Sequence, residues 1–146
     1  MPASRQAALN NEWGINLGCG NRPEAGFINH DFVRHSGHVD VAWNLEQREW
    51  PVLYEDTATG EFRGPIEGQV DLRHHARAIQ FAKVKCRDVL EHLSPNLFFQ
   101  TMNNCWDLLL PEGILEVQVP EHGSTNAITD PTHFRGYTLA SFDVLD

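Results

Sequence analysis

Ile15-Asn16-Leu17-Gly18-Cys19-Gly20-Asn21 is the stretch whose reading decides the fold: a short apolar strand running straight into a glycine turn. Leu17 is the last residue that wants burial. Gly18 and Gly20 then let the backbone bend sharply and turn its N–H groups toward whatever sits above the strand end. In a parallel α/β sheet that position, beyond the carboxyl end of a central strand, is where ligands bind. The same turn read by itself is also an ordinary Gly-rich connection, so its neighbours have to decide.

Working outward, Trp13 to Leu17 is the first strand, Phe27-Ile28-Asn29-His30-Asp31 the second and Val39-Asp40-Val41-Ala42-Trp43 the third. Parallel strands normally need a crossover of about ten residues or more, usually a helix. Only six residues separate Gly20 from Phe27, and the link containing Gly37 is also short, so neither holds a full helix. Tyr54 to Gly68, broken by Gly60, Gly64, Pro65 and Gly68, reads as a loop or a small hairpin. Leu72, His75, Ala76 and Ile79 recur at helical spacing and predict a short helix over Asp71 to Gln80. Phe81 to Arg87 is the fourth strand, ending at Asp88. Ser94-Pro95 is a helix start, a hydroxyl N-cap with proline in the first turn. Phe98, Met102, Cys105, Trp106 and Leu109 then share one face, and Pro111-Glu112-Gly113 stops the helix. Ile114 to Val119 is the fifth strand. From Glu121 to Asp146 a polar loop follows, with Thr138 to Phe142 as the beginning of a last helix.

The later strands carry a second message. Ala82, Val84 and Cys86 alternate with Lys83, Lys85 and Arg87, and Leu115, Val117 and Val119 alternate with Glu116 and Gln118. Central parallel strands covered on both faces read as continuous apolar runs. Alternation predicts one covered face and another that is wet or meets something polar, with Glu116 in reach of Lys83 or Lys85. The helices missing after strands one and two would have covered the same side.

The chain has 146 residues, 41% of them hydrophobic, enough for one core and one domain. A formal charge of −9 argues against nucleic acid or an anionic membrane as partner. No apolar run approaches the roughly 18 residues of a membrane span. Met1 to Gln6 has no secretory apolar core, and three cysteines without metal-type spacing read as reduced thiols. The expectation is a cytoplasmic protein.

Gly18-Cys19-Gly20 is not a dinucleotide fingerprint, because the third glycine would fall at Pro23, and no P-loop lysine follows. That leaves a nucleoside ligand without a pyrophosphate. Asp31 ends strand two, thirteen residues after Gly18. A carboxylate there either accepts both hydroxyls of a ribose or caps the following turn. Asn44 and Asp88 follow strands three and four, so polar tips gather on one edge of the sheet.

Taken together, INLGCGN at 15–21, FINHD at 27–31, VDVAWNL at 39–45, DVLEHL at 88–93, LPEG at 110–113 and DPTHFR at 130–135 resemble a small class I S-adenosylmethionine-dependent methyltransferase. The likeness runs from residue 13 onward, apart from a variable insertion at 53–80. It implies an α/β, Rossmann-like, mostly parallel sheet of order 3-2-1-4-5 with helices mainly on one face. That sheet is abbreviated at its C-terminal end, where the family continues into a further helix and two strands. It implies S-adenosyl-L-methionine as cofactor, with Asn16, Gly18, Cys19 and Gly20 under the methionine part. Asp31 would take the ribose, Asn44 would lie near the adenine and Asp88 near the amino-acid end. The family commonly has an acid where this chain has Asn44.

Methyl transfer needs positioning and removal of a proton from the acceptor. His92, His133 and Asp130 are the candidates for that base, against packing or capping roles. The segment 121–146 would form the substrate loop, where Arg135 either grips an anionic acceptor or pairs with Asp130. His74 and His75 are adjacent and lack ligand spacing, while His30, His35 and His38 gather around one short link; no metal is expected from them. The expected acceptor is a small or sugar-like molecule. The competing readings are a non-catalytic cofactor-binding scaffold that pairs with a second copy through its bare sheet face, and a metal-dependent hydrolase built on the histidines.

Overall fold

A computed structural model of the chain describes residues 13–59, 61–63 and 76–145. Five strands form the main sheet: β1 (Gly14–Leu17), β2 (Phe27–Asp31), β3 (Val41–Ala42), β7 (Phe81–Arg87) and β8 (Leu109–Gln118). Their order is β3-β2-β1-β7-β8, and every neighbouring pair is parallel. The expected order of the five strands is therefore the observed one. Among the described residues no helix is long and apolar enough to cross a membrane.

β3 is shorter than the expected Val39 to Trp43 because Asp40 leaves the ladder. Its carboxylate accepts the Asn29 amide at 2.8 Å, while its own amide donates to Asn29 O at 2.8 Å. β8 is longer than expected. The strand continues through Pro111-Glu112-Gly113, which pair with nothing on β7 as the register slips between Phe81↔Leu109 and Lys83↔Ile114. Glu112 takes φ 63°, and a Cβ on Gly113 would lie 2.8 Å from Leu110 O. The expected stop is thus absorbed as a bulge.

The segment between β3 and β7 makes a second, antiparallel sheet of order β5-β4-β6, from β4 (Tyr54–Asp56), β5 (Glu61–Arg63) and β6 (Ala76–Ala78). β4 and β5 are the small hairpin. The helix expected over Asp71 to Gln80 is corrected in its described part, since Ala76–Ala78 is a strand; 71–75 lie outside the described residues. Arg77 reaches across to Glu55 at 2.6 Å, and Ile79 N donates to Leu53 O at 2.8 Å. Tertiary pairing overrides local spacing here. Leu53, Phe62 and Ile79 join this small sheet to the main core.

After β7 the chain takes two 3-10 turns, Leu90–His92 and Pro95–Leu97, before helix α1 (Phe98–Leu108). Ser94 stands at the expected start but makes no capping bond; its amide and hydroxyl both donate to Glu46 Oε1 at 2.9 Å. α1 buries Phe98, Thr101, Met102, Cys105 and Leu108. Trp106, expected on that face, is 77% exposed, and Leu109 already belongs to β8. The tail holds α2 (Thr125–Thr129) and a 3-10 helix at Leu139–Leu145 where a last helix was expected to begin.

The two sheet faces differ as the alternation predicts. Ile15, Leu17, Ile28, Val84 and Cys86 pack with Phe98, Met102 and Cys105 of α1 in the core. On the other face Lys83, Lys85 and Arg87 of β7 and Glu116 of β8 form a charged row. Lys83 meets Glu116 at 2.6 Å, Lys85 meets Glu24 at 2.5 Å, and Arg87 lies 3.4 Å from Glu24 and 3.6 Å from Glu116. Asn16 and Asn29 continue this row into β1 and β2. Their side chains pair at 3.1 Å, and Asn29 Oδ1 also accepts the Glu24 amide at 2.7 Å. A loop stitched to asparagines takes the place of the first crossover helix.

Candidate functional site

Because the strands are parallel, the ends of β1, β2, β3 and β7 open on one edge. A hollow of about 300 Å³ lies there, lined by Gly18, Gly20, His30, Asp31, Asn44, Asp88 and His92, with Val89 and Leu93 as its apolar wall. Five of the expected cofactor residues and one candidate base therefore share a single depression. Asn16 and Cys19 do not line it. Asn16 is buried on the charged side of the sheet, bonded to Asn29 and to Arg22 O at 3.1 Å. Cys19 is buried beneath the turn, and burial, helped by the Asp31 and Asp40 charges, pushes its thiol up to about 11. It stays protonated near neutral pH and is no nucleophile.

The turn has the conformation that its glycines foretell. Gly18 has φ 61° and Gly20 φ 52°. A Cβ on Gly18 would stand 2.5 Å from Val89 Cγ2, so this position excludes any side chain twice over. A Cβ on Gly20 would meet nothing within 4 Å, which leaves open space on that side of the turn.

The amides of the turn are not free, contrary to expectation. Gly18 N donates to His30 Nδ1 at 3.2 Å, Cys19 N to His30 O at 2.8 Å, and Gly20 N to Asp31 Oδ2 at 2.8 Å. His30 is the residue that sequence reasoning missed. It is fully buried, tilted against Trp43 with ring centroids 3.9 Å apart. Its Nε2 lies 3.0 Å from Trp43 O. A carbonyl can only accept, so Nε2 carries the proton and Nδ1 offers its lone pair to Gly18. Burial pushes the imidazole down to about 4, keeping it in that neutral form.

Asp31 faces the bend. Oδ2 takes Gly20 N and His35 Nε2 (3.1 Å), and Oδ1 takes the Phe32 amide at 2.6 Å. Burial pushes this carboxyl up, but the hydrogen bonds from Phe32, His35 and Gly20 outweigh it and hold it below the usual range. Asp31 is thus an ionised acceptor, with one lone pair of Oδ1 left over. Asp88, at φ 52°, turns its carboxylate to Arg22 at 2.8 Å, a pair whose arginine is 65% exposed. Asn44 Oδ1 accepts Glu46 N at 2.9 Å.

Beside the hollow the tail folds back over the first 3-10 turn. Phe134 N donates to Glu91 O at 2.7 Å and Tyr137 OH to Leu90 O at 3.3 Å. This brings the three candidate bases together. His92 and His133 stand edge to face with centroids 4.6 Å apart. His92 Nδ1 lies 2.9 Å from Thr132 Oγ1, whose proton goes to Asp130 Oδ1 at 2.6 Å. The Thr132 hydroxyl and amide hold the Asp130 carboxyl below its ordinary range. Arg135 does not reach the hollow; its guanidinium lies over Tyr137 at 4.7 Å and Phe98 at 5.9 Å. Of the expected histidine cluster, His35 and His38 pack edge to face at 5.6 Å, whereas His30 is buried at the floor of the hollow with both ring nitrogens bonded.

Comparison of the chain with known protein families, with curated proteins and with solved structures finds no match, so the site speaks through its own residues.

Proposed function

We propose that the chain is a Rossmann-like, S-adenosylmethionine-dependent methyltransferase acting on a small or sugar-like acceptor. The observation that carries the reading is the convergence of Gly18, Gly20, Asp31, Asn44 and Asp88 on one hollow at the carboxyl edge of a parallel sheet. The spare lone pair of Asp31 Oδ1 suits a ribose hydroxyl. Asn44 offers an amide to a base edge on the β3 side. Asp88 suits an ammonium, which replaces the exposed Arg22 at little cost. The formal charge of −9 is in keeping with a cationic sulfonium ligand.

Held by Gly18, Gly20, Asp31, Asn44 and Asp88, the cofactor would supply an electrophilic methyl group carried on a sulfonium sulfur. The chain's task is to align that methyl with the acceptor and remove the acceptor's proton. His92, on the wall of the hollow, is the candidate proton acceptor; Thr132 and Asp130 orient its ring, and His133 stands behind it.

Calorimetric titration with S-adenosylhomocysteine tests the reading. Wild-type chain should give saturable binding, and Asp31→Ala none. Asp31→Asn, which keeps an acceptor for Gly20 N, should weaken binding by about tenfold or more, the worth of one hydrogen bond to a charged group. No binding by folded wild type, or equal binding by all three, would contradict the assignment.

A further inference from the structure

Glu91 is the most anomalous side chain among the described residues. Only 1% exposed, it has both carboxylate oxygens buried and without a hydrogen-bond partner among those residues. A buried carboxylate is normally paired, hydrogen-bonded or bound to a metal. What faces it is a pair of imidazoles. One Glu91 oxygen and one ring nitrogen each from His92 and His133 lie within 4.8 Å of one another.

The hydrogen bonds around the two rings decide which nitrogens are available. His133 Nδ1 lies 3.2 Å from Ala127 O, a carbonyl, so Nδ1 is the donor and Nε2 holds the lone pair. Thr132 Oγ1 spends its one proton on Asp130, so His92 Nδ1 must donate to Thr132, and its Nε2 is likewise left with a lone pair. Metal-binding histidines are oriented in this way, with the second ring nitrogen donating to a backbone or side-chain oxygen. His133 Nε2 also stands 3.7 Å from Asp130 Oδ2. Two lone pairs facing each other across that gap repel unless a proton or a cation lies nearby.

The geometry points to a divalent transition-metal cation held by Glu91, His92 and His133, with Asp130 in reach as a fourth or outer donor. Two imidazoles and a carboxylate are a donor set for zinc-type ions that leaves coordination positions open. Donors on a tetrahedral ion with bonds of ~2.1 Å stand about 3.4 Å apart, so binding needs a modest inward rotation of the partly exposed His92 ring. His92 also lines the hollow, which puts the cation at its edge. A cation on His92 Nε2 would take the lone pair that the methyl-transfer reading uses to accept a proton, so the site is an alternative use of that ring; cofactor binding at the strand ends does not depend on it.

The test uses the whole chain, stripped by a chelator and titrated with Zn2+ against a chromophoric competitor, without any nucleoside present. One equivalent should bind, and 15N spectra should show two of the eight histidines becoming ligands through Nε2. Glu91→Gln and His133→Ala should each weaken binding by about tenfold or more. His122→Ala, outside the cluster, should bind as wild type. Absence of a tight equivalent, wild-type affinity in the Glu91 and His133 variants, or ligand shifts at other histidines would overturn the site. Should either variant fail to fold, the histidine spectrum of the native chain decides. Since S-adenosylhomocysteine takes no part, failure here leaves the cofactor reading standing, and the reverse.

Discussion

His30 has both ring nitrogens committed, one to Gly18 N and the other to Trp43 O. It therefore ties the end of β1 to the link after β3 through the middle of β2. Its folded pKa of about 4 lies below the ordinary 6.5, so between those values the unfolded chain binds a proton that the folded chain refuses. Stability from this group is complete above pH 6.5 and is lost as pH falls toward 4, by roughly 3 kcal/mol in all. Urea unfolding across that range should show this slope, and His30→Gln should be less stable at pH 7 yet nearly flat over the same window. A wild-type profile already flat there would contradict the buried neutral ring. In the sequence FINHD the histidine looks no different from its polar neighbours. Only the depth at which β2 packs decides that Asn29 and Asp31 turn to the polar side and His30 inward. Asp31 was legible as a polar strand tip, and its bonds to the Gly20 and Phe32 amides are of the turn-capping kind that the sequence left open beside a ribose contact.

At the scale of elements, the charged row on β7 and β8 separates exposed pairs from a buried one. Lys83 and Glu116 are 36% and 38% exposed, so Lys83→Ala should cost about 1 kcal/mol or less. The Lys85 side chain is 8% exposed and relies on Glu24. Glu24→Ala leaves that ammonium buried without its partner and should cost about 3 kcal/mol, as read by thermal or chemical unfolding. Equal costs for the two variants would contradict the different burial of the pairs. The turn has its own test: Gly18→Ala meets Val89 and a positive φ together, and should lower the melting temperature as well as remove nucleoside binding. Strands β2 and β7 were readable to the residue, because short apolar runs with polar ends and alternating faces leave little choice. β6 was not. Its helical spacing is real, but the Arg77–Glu55 pair and the Leu53 carbonyl lie more than twenty residues away in sequence and outweigh it.

For the molecule as a whole, the single covered face follows from links too short for crossover helices, whereas the strand order was expected only through the family resemblance. The site was legible as a set of strand ends and opaque in its interior bonding. The sequence fingered Gly18, Gly20, Asp31, Asn44, Asp88 and His92, and these line one hollow. It gave no sign that His30 and Asp31 would claim the turn's amides, nor that Glu91 would be buried unpaired beside His92 and His133. The first depends on how the end of β2 packs against the turn, the second on how the tail folds back over the 3-10 turn, and no local pattern encodes either. The central claim is that this hollow holds the nucleoside of a methyl donor. An amide-resolved NMR titration of the whole chain with S-adenosylhomocysteine reads it directly. Saturable shifts should gather at Gly18, Gly20, Asp31, Asn44 and Asp88 and leave the far ends of β7 and β8 unmoved. Shifts centred elsewhere, or none at saturating ligand, would contradict it.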